Sequence, residues 1–251
     1  KVKVFKFVQQ QKYIQNCMRN FFLSFLIIFS LTLHSCKKDT VRLNGYAIEG
    51  IDVSHHQKDI QWDSLINQNL KFVYMKATEG VTHTDTKFDY NWNEARRIGL
   101  KRGAYHFYTI DADATEQAKH FIETVKLEDG DLPPVLDFEH ERMSYDASLT
   151  DSLSLWLSLI ENYFNVKPII YTNLKLYNTY IKNHFDKYPL WIARYNNIEC
   201  PIPGTSSPYI WQYGNRGRLS GINGHVDFNI FLGSQTDFDN LCLNSKDKNL
   251  K

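Results

Sequence analysis

Pro133-Pro134-Val135-Leu136-Asp137-Phe138-Glu139 reads as a short buried strand that ends in two acids. Proline opens it, and Val, Leu and Phe fill it, the composition of a strand entering a core. Side chains alternate across a strand, so Asp137 and Glu139 fall on one face. Seven further runs of this kind flank it: 46–53 (YAIEGIDV), 71–78 (KFVYMKAT), 102–108 (RGAYHFY), 168–173 (PIIYTN), 189–195 (PLWIARY), 209–214 (YIWQYG) and 224–231 (GHVDFNIF).

The connections come in two styles. Between the first five pairs of strands lie segments long enough for a helix. The clearest is 147–164, where Leu149, Leu153, Trp156, Ile160 and Phe164 recur at helical spacing. The stretch 86–100 meets a helix stop at Gly99. After the sixth strand, Pro201, Pro203, Gly204 and Pro208 discourage a helix in 196–208, and 215–223 is short and glycine-bearing, so both read as loops or hairpin turns. The expected fold is α/β: a single-domain, distorted TIM-like barrel over 46–251, about eight strands with roughly five helices, (β/α)5(β)3.

In such barrels chemistry gathers at the C-terminal ends of the strands. Carboxylates stand there or close by at Asp52, at Asp137 and Glu139, and at Asp227 on the last strand, which neighbours the first. Alone, the Asp-x-Glu strand end would read as a solvated terminus or a salt bridge. The apolar flanks and the other two acids favour a site. Carboxylates sharing a site repel, which raises the pKa of one of them. That split suits glycoside hydrolysis, which needs an acid for the leaving oxygen and an anion for the positive charge on the sugar.

The charges and cysteines bound the rest. Residues 1–35 carry five Lys or Arg and no acid, and the remainder holds 24 basic against 28 acidic residues. A mildly acidic body argues against nucleic acid as a partner. Residues 1–35 read as a leader and signal peptide with its start at Met18; the apolar run Phe21–Leu33 is shorter than the roughly 20 residues of a membrane span. Leu33-His34-Ser35-Cys36 resembles the lipobox of bacterial lipoproteins, which implies cleavage before Cys36, lipid on its thiol, and a linker over 36–45. An ordinary signal with an incidental Cys is the alternative. Pairing of Cys200 with Cys242 is permitted outside the cytoplasm and left open. No His or Cys spacing suits a metal, so His55, His56 and His106 read as hydrogen-bonding or loop residues and no metal or cofactor is expected. Lys76 and Glu79 read as a pair at a strand end.

Taken in order, Gly50-Ile51-Asp52-Val53-Ser54-His55-His56-Gln57, Lys76-Ala77-Thr78-Glu79-Gly80, Gly103-Ala104-Tyr105-His106-Phe107-Tyr108, Leu136-Asp137-Phe138-Glu139, Ile170-Tyr171-Thr172, Leu190-Trp191-Ile192-Ala193-Arg194-Tyr195, Trp211-Gln212-Tyr213 and Val226-Asp227-Phe228-Asn229 resemble glycoside hydrolase family 25, the muramidase lysozymes, over about residues 46–235. The resemblance implies hydrolysis of the β-1,4 bond between N-acetylmuramic acid and N-acetylglucosamine in peptidoglycan. It implies Glu139 as general acid and Asp137 as the group that orients the acetamido group or stabilises the oxocarbenium-like state. Asp52 and Asp227 would complete the acidic cluster. Tyr105, Phe107, Tyr171, Trp191, Trp211 and Gln212 would line the cleft. Lys58-Asp59 follows Gln57 where the family often has Gly, which questions the shape of the first loop. Retaining, inverting and substrate-assisted routes stay open, since carboxyl separations of about 5 Å and about 6.5–9.5 Å distinguish the first two and a sequence carries no distance. The expected partners are peptidoglycan strands, with a membrane reached only through a lipid anchor, for an exported monomer. The rival readings are a non-catalytic peptidoglycan-binding lipoprotein and a hydrolase of another N-acetylated glycan.

Overall fold

The computed structural model describes residues 38–140, 146–195 and 209–244. All eight strand candidates are strands, with a small one added: β1 (Glu49–Val53), β2 (Phe72–Glu79), β3 (His83–Thr84), β4 (Lys101–Phe107), β5 (Val135–Asp137), β6 (Ile169–Asn173), β7 (Leu190–Ala193), β8 (Tyr209–Gly217) and β9 (Val226–Leu232). β3 folds back on the end of β2. The other eight close into a ring, because β1 pairs with both β2 and β9. Around the ring β1, β2 and β4 to β8 are parallel, whereas β9 is antiparallel to β8 and β1. The reversal follows from chain length: only residues 218–225 join β8 to β9, and a parallel crossover needs roughly a dozen residues or more.

The helices are α1 (Phe88–Arg97), α2 (Ala114–Thr124), α3 (Ala147–Phe164), the short α4 (Leu174–Leu176), which runs into a π-turn at Tyr177–Ile181, and α5 (Gln235–Leu241). In α3 the residues at helical spacing are the buried ones; Asp146 caps its start, and Asn165 ends it in the left-handed conformation (φ 54°). The first connection departs from expectation. It holds no α-helix but two 3-10 turns, His55–Gln57 and Trp62–Leu65. Ser54 and Gln57 cap the first turn reciprocally, and Lys58 then takes φ 58°, which an α-helix cannot continue through.

Two apolar layers hold the ring. Outside it, His106 and Phe121 pack against Trp156 of α3, and Phe164 packs on Phe121. Inside it, Phe72, Tyr74, Val135, Ile169, Ile210 and Phe231 fill the lower half. Each such side chain contributes about 1.5–3 kcal/mol by burial. Phe72 and Tyr74 fit because the facing strands carry Gly50 and Gly103, where a Cβ would come within 2.5 and 2.1 Å of their rings. The upper half is where polar residues turn inward.

Residues upstream of β1 are also docked. Thr40 N donates to Arg216 O (2.9 Å), and Arg216 N donates to Thr40 Oγ1 (3.2 Å). Asp39 accepts from Arg218 (2.6 Å) and lies 2.8 Å from His225 Nε2. A Cβ on Gly214 would lie 2.3 Å from Thr40. Part of the expected linker is thus a strap along β8. Met18, the run 21–33, Cys36 and Cys200 lie outside the described residues.

Candidate active site

Period-two alternation aims one residue in two at the barrel axis, and at the upper rim those residues are polar. They enclose a cavity of about 370 Å³ lined by Asp52, Asp137, Glu139, Asp227, Lys76, Tyr105, Phe107, Tyr171, Trp191, Tyr195 and Gln212, among others. Asp52, Asp137 and Glu139 come from the C-terminal ends of parallel strands. Asp227 stands near the start of β9 and still reaches this rim, because β9 runs the other way and its register sets Asp227 opposite Asp52.

Asp52 is the hub. Its Oδ2 accepts from Gln212 Nε2 (2.9 Å) and from Asn229 Nδ2 (2.7 Å). Gln212 Oε1 in turn accepts from the hydroxyls of Tyr171 (2.8 Å) and Tyr195 (2.7 Å), and Asn229 Oδ1 accepts from the Trp191 indole N–H (2.8 Å). Burial, the larger effect, leaves Asp52 above the usual carboxylate range, and the amide donors of Asn229 and Gln212 pull it part of the way back. Among the described residues Asp227 has no such donors. Burial and then the neighbouring Asp52 charge push it up, to about 9.

Asp137 is buried, and its Oδ1 has no hydrogen-bond partner among the described residues. Burial first, then the charges of Glu139 and Asp52, push its carboxyl well above the usual range; Lys76 opposes this. Glu139 lies past the end of β5 and is exposed. Of these two acids Asp137 is the buried one, and its carboxyl is the one held above the usual range. Lys76 pairs with Glu79 as expected, and its ammonium sits 4.7 Å from the centre of the Phe107 ring. A bulge in β2 between Lys76 and Thr78 breaks the alternation, so that Lys76 faces the cavity and Thr78 faces the outer layer.

Of the residues expected at the site, Asp52, Asp137, Glu139, Asp227, Tyr105, Phe107, Tyr171, Trp191 and Gln212 all line the cavity. Trp211 does not. Its neighbour Gln212 points inward, so alternation turns Trp211 out into the core, where its N–H donates to Arg194 O (3.0 Å) and its ring packs on Tyr213. Trp191 is 2% exposed and forms floor rather than a face for a sugar to stack on. Sequence reasoning missed Asn229 and Tyr195. Both lay within quoted motifs, but only the three-dimensional pairing reveals their partners.

His55 and His106 behave as hydrogen-bonding residues, and His56 sits on the first loop at the cavity. His55 Nδ1 meets Asp85 (2.7 Å). His106 is fully buried between Thr78 and Gln117, and burial lowers its pKa to about 3. Among the described residues no three His, Cys, Asp or Glu are placed to hold a metal ion.

Comparison with known proteins bears on this geometry. Residues 51–222 match the family described as glycosyl hydrolases family 25. The uncharacterized protein YegX of Escherichia coli K12 is 36% identical over 226 residues, covering 86% of this chain and 83% of its own. Lysozyme M1 of Streptomyces globisporus is 34% identical over 202 residues, covering 74% of this chain and 68% of its own. The structure of a family 25 glycosyl hydrolase from Bacillus anthracis superposes with a TM-score of 0.75 at 32% identity, covering 83% of this chain and all of that one.

Proposed function

Since the chain belongs to the glycosyl hydrolases family 25, we propose that its acidic cavity cleaves the β-1,4 bond between N-acetylmuramic acid and N-acetylglucosamine with Glu139 as general acid. The chain is a lysozyme, a glycoside hydrolase of peptidoglycan. The observation that carries the residue assignment is the convergence of four carboxyl groups on one cavity, one of them with a buried oxygen left open.

Three of the acids have parts that fit their surroundings. Glu139, exposed at the mouth, can reach the leaving oxygen of a glycan in the cavity. The open Oδ1 of Asp137 accepts the N–H of the sugar's acetamido group and aims that group's oxygen at the anomeric carbon. As that oxygen bonds to the carbon, the glycosidic bond breaks and Glu139 gives its proton to the leaving oxygen. Water then attacks the oxazolinium with Glu139 taking its proton, the acetamido group is restored, and configuration is retained. Asp52 supplies fixed negative charge beside the reacting carbon, while Tyr105, Phe107 and Tyr171 bound the sugar. A glycosyl group trapped covalently on any of these carboxylates would overturn the substrate-assisted step.

The lysozyme acts on cell-wall peptidoglycan, which lies outside the cytoplasm. The reading therefore includes export; the lipobox-like Leu33-His34-Ser35-Cys36 supports lipid attachment at Cys36, and the enzyme is read as a monomer. The deciding experiment measures reducing sugar released from purified peptidoglycan by residues 37–251, beside the Glu139→Gln variant and beside chitin. Removing a general acid costs about 10²–10⁴-fold in rate, and new reducing ends should fall on muramic acid. A folded parent that binds peptidoglycan and does not cut it would instead make the protein a binding module.

A further inference from the structure

Asn229 does not line the cavity; it stands behind Asp52, 1% exposed. We propose that Asn229, oriented by Trp191, is a positioning residue that fixes Asp52 as the anionic member of the Asp52–Asp227 pair. The inference rests on the reading of this cavity as the hydrolytic site.

Both ends of the Asn229 amide are committed. An indole N–H can only donate, so the Trp191 contact at 2.8 Å requires the amide oxygen at that end. The amide NH₂ is then forced toward Asp52 Oδ2, 2.7 Å away. A flipped amide would set donor against donor at Trp191 and acceptor against acceptor at Asp52. Gln212 adds a second N–H to the same oxygen at 2.9 Å. Its orientation is less firmly dictated, because the tyrosine hydroxyls on its other end can accept as well as donate. A carboxyl oxygen that receives two N–H donors is a poor place for a proton, and charge-assisted bonds of this kind are the strong ones.

The surroundings of Asp52 explain why such a device is needed. It faces Asp227 from β9, Asp137 and Glu139 from the β5 segment, and the hydroxyls of Tyr105, Tyr171 and Tyr195. Among the described cavity residues only Lys76 and His56 can carry positive charge, and Lys76 is paired with Glu79. Crowded acids of one type would share protons among themselves with no fixed order. The Trp191–Asn229–Asp52 chain breaks that symmetry, leaving the negative charge on β1 and the proton on β9. The charge then occupies one place at the moment a cationic sugar forms.

The test is Asn229→Leu, which keeps the volume and removes both polar ends, together with Trp191→Phe, which keeps a ring and frees the amide to turn. Loss of one hydrogen bond to a charged group should raise the acid limb of the kcat/KM pH profile by about one to two pH units in Asn229→Leu. kcat should fall while KM stays within about twofold, because Asn229 does not touch the cavity. Trp191→Phe should move the limb in the same direction by less, and it carries the test if Asn229→Leu does not fold. Carboxyl ¹³C NMR titration of parent and variants reads the same order without activity: Asp52 should ionise before Asp227 in the parent and later in the variants than in the parent. An unmoved acid limb and unchanged Asp52 titration in a folded variant would overturn the proposal. A parent that titrates in the expected order but cuts no glycan would instead overturn the hydrolytic reading alone.

Discussion

Residues 105 to 107 of β4 face two different polar clusters, one on each side of the sheet. His106 points outward. Thr78 Oγ1 lies 2.7 Å from one ring nitrogen and Gln117 Oε1 lies 3.1 Å from the other, while the Gln117 amide NH₂ is itself bound by the carbonyls of Thr109 and Ala112. Nearby on the same strand, Arg102 makes a two-pronged contact to Asp131 (2.8 and 3.2 Å) and covers Trp92. Tyr105 and Phe107 point inward, to a cavity with four carboxyl groups and one buried oxygen that has no hydrogen-bond partner among the described residues. Both clusters are buried and polar. His106, Gln117, Arg102 and Asp131 satisfy one another on the outer side, although Asn91 and Trp156 there also have buried polar atoms without a partner among the described residues; the inner cluster instead crowds four acids around an open acceptor, which costs stability unless a ligand completes it.

Substitutions on the two sides should therefore split stability from activity. Arg102→Met leaves Asp131 buried without its partner and should cost about 3–5 kcal/mol in urea unfolding, while the rate per folded molecule stays unchanged. Asp137→Asn removes a carboxyl that burial already holds protonated. It should keep or raise the melting temperature and still lower peptidoglycan cleavage by about a hundredfold or more. A large loss of stability in Asp137→Asn would erase the distinction.

The two sides should also answer pH with opposite signs. His106 has its pKa lowered from 6.5 to about 3. Between those values the unfolded chain binds a proton that the native one does not, so this contribution to stability is lost as pH falls through the window. Asp227 has its pKa raised from 3.8 to about 9, so there the native state holds the extra proton and stability is lost as pH rises. Each is worth at most about 1.4 kcal/mol per pH unit. Unfolding free energies measured from pH 4 to 9 should show Asp227→Asn flattening the alkaline decline and His106→Gln flattening the acid one. The same sign for both would mean that the proton is misassigned.

Smaller effects refine the picture. Trp211→Phe should cost about 1 kcal/mol through the lost bond to Arg194 O and leave KM unchanged, as befits an outward-facing residue. Lys58→Gly should stabilise the fold by about 1 kcal/mol, because a non-glycine residue there holds a costly backbone conformation; calorimetry would register the gain.

What the sequence discloses follows from how local the cause is. β-rich runs bounded by Pro and Gly disclose the strands, and Leu149 to Phe164 disclose α3, because both signals act over a few residues. Asp52, Asp137, Glu139 and Asp227 are legible as a group once strand ends are known to meet. The roles of Asn229 and Tyr195 are not legible, since they depend on the register of β9 against β1 and on Tyr195 reaching Gln212 on β8. The outward turn of Trp211 does have a local signal, since it and Gln212 are adjacent on one strand and cannot both point inward. The helix α5 also had a local mark in the reciprocal cap of Ser234 and Asp237. The failed helix in the first connection had a subtler one, a single capped turn cut short at Lys58.

The strap at residues 39–43 gives the barrel a mechanical handle. Tension drawn along the chain from its N-terminal side arrives first at Asp39 and Thr40, and these hang from Arg216, Arg218 and His225. Those residues belong to the β8–β9 hairpin, the element that also brings Asn215 and Asp227 to the cavity. A pull from that side would be loaded onto the rim of the cleft, and Gly214 is the residue that admits Thr40 against the strand there.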